Sequence, residues 1–157
     1  MFFSNCNLDS EVEFRRRAEA AAALAAHDGI PIVFDAYDHA AWLREVAAGL
    51  ENEPEKGSRC AKCFRFSLAR AARYAAEHGF EGFTTSLTVS PHKVSAMIFA
   101  ASDDPRFRRI DFKKRQGFLR SVRRADELGL YRQSYCGCEF SRRAAAARET
   151  AREAKSP

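Results

Sequence analysis

The alternation of short apolar segments and long helical segments constrains the fold of this chain most strongly. Residues 11–27 have the composition of a helix, and Gly29 is placed where a glycine commonly ends one. An apolar, β-branched run of strand length follows at residues 30–34, and a second helix is predicted over residues 39–49. Because residues 1–4 read as the end of a strand, the order is β-α-β-α. This order favours a parallel sheet covered by helices.

Glycine and proline residues divide the rest of the chain into further elements. The pattern predicts a third strand over residues 80–87. It predicts helices over residues 59–78, 91–101 and 116–128, and an Ala/Arg/Glu-rich helix over 142–155. The pattern does not decide whether residues 106–114 form a strand or a loop. No repeat or low-complexity linker interrupts this order. We therefore expect one α/β domain over residues 1–141 and a C-terminal helix or tail over residues 142–157.

The distribution of apolar residues bears on the cellular location. No apolar run approaches the roughly 18–20 residues that cross a bilayer. The first residues contain neither the basic region nor the long apolar region of a signal peptide. We expect a cytoplasmic protein without a membrane partner, whose cysteines are kept reduced.

Positive charge is concentrated in the last third of the chain. Residues 1–100 carry 11 basic and 13 acidic side chains, whereas residues 101–157 carry 15 and 8. Residues 106–124 hold nine basic side chains against one acidic side chain, with three phenylalanines between them. Such a segment suits a phosphate backbone and unstacked bases, although a solvated helix face is the alternative. The candidate nucleic-acid-binding residues are Arg106, Arg108, Arg109, Lys113, Lys114, Arg115, Arg120, Arg123 and Arg124.

Cys60 and Cys63 begin the predicted long helix after a loop with proline and glycine. At positions i and i+3, both sulfurs lie on one face of the first turn. The helix N-terminus, Arg59 and Lys62 are expected to lower their pKa values and to favour the thiolate form that binds iron or zinc. The alternative is that both are merely small buried residues.

Cys136 and Cys138 are separated only by Gly137, which lets the chain fold so that the two sulfurs can meet. A disulfide this tight would be strained, and strained disulfides are the labile, redox-active kind. The competing interpretation is that this pair completes a four-cysteine zinc site with Cys60 and Cys63. Residues 64–135 separate the two pairs, a far longer interval than in compact zinc ribbons.

Six motifs follow one another in an order that is more informative than any one of them. They are EPEKGSRCAKCF at residues 53–64, FTTSL at 83–87, SPHK at 90–93, DFKK at 111–114, GFLRS at 117–121 and YRQSYCGC at 131–138. This series closely resembles the QueH-type epoxyqueuosine reductases, from about residue 1 to residue 141.

The resemblance implies a fold, a reaction and roles for the cysteines. It implies a Rossmann-like α/β domain with a [4Fe–4S] cluster, leaves room for an additional iron, and implies conversion of epoxyqueuosine to queuosine at the tRNA wobble position. Cys60 and Cys63 match the family's cluster ligands, and Cys136 and Cys138 match its redox-active disulfide. The expected partners are a tRNA carrying epoxyqueuosine, held by the basic residues of 106–124, and an external electron donor.

One departure from the family concerns the start of the chain. The family places an adjacent Cys-Cys pair after its first strand, ahead of the segment that corresponds to residues 2–7, and this chain begins at that segment. With only Cys60 and Cys63, a [4Fe–4S] cluster lacks two ligands. We expect the N-terminal β-α unit to be missing, through a start site assigned too late or through divergence. Cys6 is expected to be a free, partly buried cysteine.

Two rival functions use the same cysteines. One is a zinc-stabilised RNA-binding module with all four paired cysteines as ligands, and the other is a thioredoxin-like thiol–disulfide oxidoreductase that uses Cys60 and Cys63. Metal content separates these two functions from the epoxyqueuosine reductase. The reductase should contain iron with labile sulfide, the RNA-binding module should contain zinc, and the thioredoxin-like oxidoreductase should contain no metal.

Overall fold

A pair of parallel strands opens the chain in the computed structural model, which describes residues 1–154. Strand β1 (Phe2–Phe3) pairs with β2 (Val33–Phe34), with Phe2 opposite Val33 and Phe3 opposite Phe34. Helix α1 (Glu11–His27) connects them and ends ahead of Gly29, which has a positive φ. The predicted β-α-β unit is confirmed, although β2 is shorter than the predicted strand.

Helices make up most of the remaining chain. Helix α2 (His39–Trp42) continues into a π-helical turn (Leu43–Ala47), and short 3-10 turns occur at Ser86–Val89 and Lys114–Gln116. The four longer or later helices are α3 (Ser58–Glu77), α4 (Ser95–Phe99), α5 (Gly117–Glu127) and α6 (Glu139–Glu153). The prediction of a mixed α/β protein with a parallel sheet is confirmed. A Rossmann-like fold is not confirmed, because the sheet within residues 1–154 has two strands.

The predicted third strand over residues 80–87 is wrong. In this segment, the only β-type backbone pairing is an isolated parallel bridge between Phe83 and Phe107. The Thr85 hydroxyl then accepts a hydrogen bond from the backbone N–H of Leu87 at 3.2 Å and turns the chain into a 3-10 helix. Serine and threonine favour such local turns over extended pairing.

Two predicted helix boundaries also differ from the structure. Helix α4 begins at Ser95 rather than at Pro91, after a turn that the bond from Lys93 N–H to the Ser90 carbonyl closes. Helix α6 begins at Glu139, where a loop was predicted, because the Ser141 hydroxyl accepts from Gly137 N–H and donates to the Cys138 carbonyl. The end of the predicted C-terminal helix at residue 155, and the tail to residue 157, lie outside the described residues.

Helix α3 occupies the centre of the packing. One side of it contributes Phe64 and Leu68 to a core with residues of α4 and of the Phe83–Phe107 bridge. The opposite side brings Cys63 and Phe66 against a second core that contains Cys6, Trp42, Val46 and Ala47. The burial of both sides fixes the position of the helix that carries the first cysteine pair. None of the helices that the structure describes has the length and apolar character that a membrane crossing requires.

An ion pair joins α3 to the carboxyl ends of both strands. Asp35, which follows β2, accepts hydrogen bonds from the Arg70 guanidinium at 2.5 and 2.8 Å and from the Ser4 hydroxyl at 2.5 Å. Burial alone would raise the pKa of Asp35, but the bonds from Arg70 and Ser4 outweigh it and the pKa is lowered. The carboxylate therefore anchors the strand pair to α3 at neutral pH.

Candidate cysteine site

The first cysteine pair lies on the first turn of α3, as the sequence predicts. The backbone N–H of Lys56 donates to the Cys60 sulfur at 3.3 Å, and the indole N–H of Trp42 donates to the Cys63 sulfur at 3.4 Å. Both sulfurs are thus held by donors from segments that precede the helix.

The electrostatic prediction for this pair is wrong. Burial, the largest cause, raises the pKa of Cys60 and raises that of Cys63 to about 12, although the Lys56 N–H and the Trp42 indole act in the opposite direction. Arg59 lowers the pKa of Cys60 only as a minor cause. Because desolvation dominates, both cysteines are neutral thiols at neutral pH, and a metal ion must displace their protons.

Arg59 is buried beside Cys60 and joins three segments. Its side chain donates to the carbonyls of Leu50 at 2.6 Å and Glu51 at 3.2 Å, and its guanidinium lies 4.1 Å from the centre of the Phe140 ring. Within residues 1–154, its Nε has no hydrogen-bond partner. A buried cation is costly unless it is partnered, and here carbonyl oxygens and an aromatic face supply the compensation.

The second cysteine pair lies in the loop before α6. Cys136 is exposed, Cys138 is half-buried, and both are free thiols, so their disulfide stays a prediction. Gly137 has a φ of +146°, and a Cβ atom there would lie 2.5 Å from the Leu8 side chain and 2.8 Å from that of Asn7. Only glycine fits this conformation and this close approach.

Helix α1 anchors the loop that carries Cys136 and Cys138. Arg17 donates to the Cys136 carbonyl at 2.9 Å and pairs with buried Glu13 at 2.7 Å, whose carboxylate also accepts from the Tyr131 hydroxyl at 2.9 Å. The backbone adds a bond from Asp9 N–H to the Gly137 carbonyl at 3.0 Å. The loop therefore has a defined position despite the exposure of its tip.

The structure brings the two cysteine pairs to one place. Cys63 and Cys138 pack against the same core around Trp42. After burial and the hydrogen bonds to each sulfur, the charges of Cys136 and Cys138 are among the causes that raise the pKa values of Cys60 and Cys63. The two cysteine pairs, although distant in sequence, thus lie around one core and close enough for their charges to interact.

The site supplies some, but not all, of the ligands that an iron–sulfur cluster needs. Cys60 and Cys63 are chemically suitable ligands for iron or zinc. Within residues 1–154, however, no group of three or more His, Cys, Asp or Glu side chains is arranged to hold a metal ion. The described residues therefore offer a [4Fe–4S] cluster two of its four usual ligands rather than a complete set.

Cys6 and the side chains around the site complete the comparison with the sequence. Cys6 is free, as predicted, but it is fully rather than partly buried; its thiol donates to the Ala36 carbonyl at 3.5 Å, and burial raises its pKa. Sequence reasoning missed Trp42, Arg17 and Lys93 as neighbours of the site. Only Lys93 had a signal, since it lies in the SPHK motif, whereas the other two contact the site through tertiary packing alone.

The nine basic residues of the 106–124 segment fall into two groups. Four have internal contacts: Arg106 with Asp104 at 2.6 Å, Arg108 with the Glu81 carbonyl at 3.3 Å, Lys113 with Ser95 at 2.5 Å, and Arg124 with Asp28 at 2.7 Å. The side chains of the other five are exposed and have no ion pair or hydrogen bond to another residue within 1–154: Arg109, Lys114, Arg115, Arg120 and Arg123.

The three phenylalanines of this segment are not equivalent. Phe107 is buried in the core beside α3, whereas Phe112 is 37% exposed. Ile110 and Leu119, at 44% and 51%, are also exposed between the basic residues. The surface thus alternates free cations with exposed apolar side chains, although Phe107 is not part of it.

Comparison with known proteins places this chain in a family. The fold and the site define a parallel α/β protein whose two cysteine pairs share one site. A family model described as "Epoxyqueuosine reductase QueH" matches residues 1–144. The chain belongs to the QueH family.

Three relatives named epoxyqueuosine reductase QueH illustrate the similarity. The protein of Streptococcus pyogenes serotype M1 is 37% identical over 153 residues, 90% of this chain and 60% of that protein. The Acinetobacter baylyi protein is 38% identical over 150 residues, 91% of this chain and 68% of the relative. The Dehalococcoides mccartyi protein is 34% identical over 148 residues, 90% and 77% respectively. This chain therefore spans about three fifths of the length of the Streptococcus relative.

Replacement of Gly137 by alanine tests the packing of the second cysteine pair. Because the new methyl group meets Leu8 and Asn7 and the φ angle is unfavourable, Gly137→Ala should lower the free energy of unfolding by about 2–4 kcal/mol. Gly129→Ala is the matched control, since Gly129 has a φ of +61° with nothing within 4 Å of an added Cβ. The control should cost about 1 kcal/mol in urea unfolding. Equal costs for the two variants would contradict the close approach at Gly137.

Proposed function

We propose that this chain reduces epoxyqueuosine to queuosine at the wobble position of tRNA. The observation that carries the proposal is the convergence of the Cys60–Cys63 and Cys136–Cys138 pairs at one site in a QueH-family chain. The names of the relatives state the reaction that those proteins catalyse, and it is transferred here as a proposal.

The chemistry of the second pair matches the electron count of this reaction. Removal of the epoxide oxygen to leave an alkene consumes two electrons and two protons. Two thiols that join as a disulfide release two electrons and two protons. One epoxide and the Cys136 and Cys138 thiols thus give one alkene, one disulfide and one water molecule. An external electron donor must then reduce the disulfide before the next turnover.

The first pair is proposed to hold part of an iron–sulfur cluster. Cys60 and Cys63 would supply two thiolate ligands from the first turn of α3, with the buried Arg59 cation beside them. A [4Fe–4S] cluster, when bound, stores and passes electrons. The additional iron that the family resemblance leaves room for has no ligands that we assign among residues 1–154. Reduced thiols of this kind are consistent with the predicted cytoplasmic location.

The basic segment is proposed to hold the tRNA. Its five exposed, internally unpaired cations can contact phosphates, and Phe112 is an exposed ring on which an unstacked base can lie. Arg106, Arg108, Lys113 and Arg124 have internal contacts that supply a structural role for each. The predicted tRNA surface is therefore narrower than the nine residues of the segment.

Anaerobic reconstitution with iron and sulfide tests the proposed reaction. With an added small thiol supplying the two cluster ligands that Cys60 and Cys63 do not provide, the chain should then remove one oxygen atom from epoxyqueuosine in tRNA, measured by mass spectrometry of the released nucleosides. Cys138→Ser should abolish multiple turnover and keep the bound iron, whereas Cys60→Ser should lose the iron, because the two cysteines have different roles. Cys6→Ser is the matched control, since it removes a thiol outside both pairs. Loss of metal from Cys138→Ser, or binding of zinc without sulfide, would instead support the four-cysteine zinc site.

A triple substitution tests the tRNA surface. Lys114→Ala, Arg115→Ala and Arg120→Ala together should weaken tRNA binding and reduce the salt dependence of log K by about 0.7 for each lost contact to a single strand. The control replaces Arg44, Arg65 and Arg73, three exposed arginines outside the segment, and removes the same net charge. Filter binding at several salt concentrations measures both. An equal loss in the control would show that total charge, rather than this surface, determines binding.

A further inference from the structure

The two cysteines of the Cys136–Cys138 pair lie in different environments. Cys136 is exposed, and its sulfur accepts a hydrogen bond from the Lys93 ammonium group at 3.2 Å. Lys93 comes from the loop before α4, 43 residues earlier in the chain. An external molecule can therefore reach the Cys136 sulfur, and it meets a positive charge there.

Hydrogen bonds from Lys113 fix the backbone of the loop that carries Lys93. The Lys113 ammonium group donates to the Lys93 carbonyl at 3.0 Å and to the Ser95 hydroxyl at 2.5 Å. Among the side chains that the structure describes, no carboxylate forms an ion pair with Lys93. Its charge is therefore available to the sulfur of Cys136 rather than neutralised by a neighbouring acid.

Cys138 is the less exposed cysteine of the pair and lies at the start of a helix. It is half-buried against the core around Trp42, and it occupies the N-cap position of α6, a helix of 15 residues. Its sulfur also lies 3.5 Å from the Ser141 hydroxyl. The unpaired N–H groups at a helix N-terminus stabilise a negative charge, including that of a thiolate.

We propose that the Cys136–Cys138 disulfide is reduced in one direction, by attack of an external thiolate on Cys136, and that Lys93 is the positioning residue for this step. The inference rests on the proposed function, which requires this disulfide to be regenerated as a dithiol. The incoming sulfur bonds to the Cys136 sulfur, the S–S bond breaks, and Cys138 leaves as a thiolate at the start of α6. A second thiolate then attacks the incoming sulfur, and Cys136 is released as a thiolate beside Lys93.

The proposed attack takes a thiol as the reductant, and the step balances with it. Two external thiols, or one dithiol, lose two electrons and form a disulfide, and the Cys136–Cys138 pair gains both electrons and two protons. The negative charge of the transition state is shared among three sulfurs, and Lys93 lies beside the middle one. This arrangement favours a thiol reductant that approaches the exposed tip of the loop.

Trapping of the mixed disulfide tests the direction of attack. The oxidised chain of 157 residues is mixed with glutathione, quenched with acid and digested, and the modified cysteine is located by mass spectrometry. Glutathione should be found on Cys136. Its presence on Cys138 would overturn the inference while leaving the redox pair intact. If the oxidised chain contains no Cys136–Cys138 bond, the redox pair of the proposed function fails, and the inference fails with it.

The rate of reduction by dithiothreitol, whose only charge is that of its attacking thiolate, tests the role of Lys93. Lys93→Met should slow reduction of the Cys136–Cys138 bond roughly threefold or more, as expected for the loss of a partly exposed charge interaction. Lys93→Arg should retain most of the rate, and Arg44→Met, which removes an exposed cation outside the basic segment, should leave it unchanged. All three should unfold at the same urea concentration as the parent chain. An unchanged rate in Lys93→Met, or an equal loss in Arg44→Met, would overturn the assignment of Lys93.

Discussion

The buried guanidinium of Arg59 is the interaction on which the cysteine site depends. It binds the carbonyls of the loop before α3 and stacks on Phe140 in the first turn of α6. The start of α3 carries Cys60 and Cys63, and the start of α6 follows directly on Cys138. Because a buried cation is stable only while its partners stay in place, Arg59 holds these two helix starts together. The packing of the starts of α3 and α6 therefore brings the two cysteine pairs close together.

A second set of contacts positions the more exposed pair from the opposite side. Helix α1 fixes the Cys136–Cys138 loop through Arg17 and the buried carboxylate of Glu13, and the Gly137 backbone lies against the segment before α1. The loop thus has a fixed base and an accessible tip. This combination suits a dithiol that must react both with a substrate inside the site and with a reductant outside it.

The sequence predicts the elements that depend on local signals and misses those that depend on tertiary contacts. Helices α1, α3 and α5 end next to glycines with positive φ, and their extents were predicted within a few residues. The prediction of an extra strand at residues 80–87 was wrong. The composition of this segment favours a strand, but the hydrogen bond between the Thr85 hydroxyl and the Leu87 N–H turns the chain there instead. The thiol pKa values were misjudged because burial, which depends on the whole fold, exceeds the effect of neighbouring cations. The structural roles of Phe107 and Lys113 likewise depend on partners that the sequence does not identify.

Chemical crosslinking measures the convergence of the two cysteine pairs most directly. A chain with Cys63→Ser and Cys138→Ser keeps Cys60, exposed Cys136 and the buried Cys6. Treated in its reduced form with a short bis-maleimide reagent and analysed by peptide mass spectrometry, it should give mainly a link between Cys60 and Cys136. Arg59→Ala in the same background should reduce this link, because the starts of α3 and α6 lose their common contact. Modification of both cysteines without a link between them would contradict a shared site.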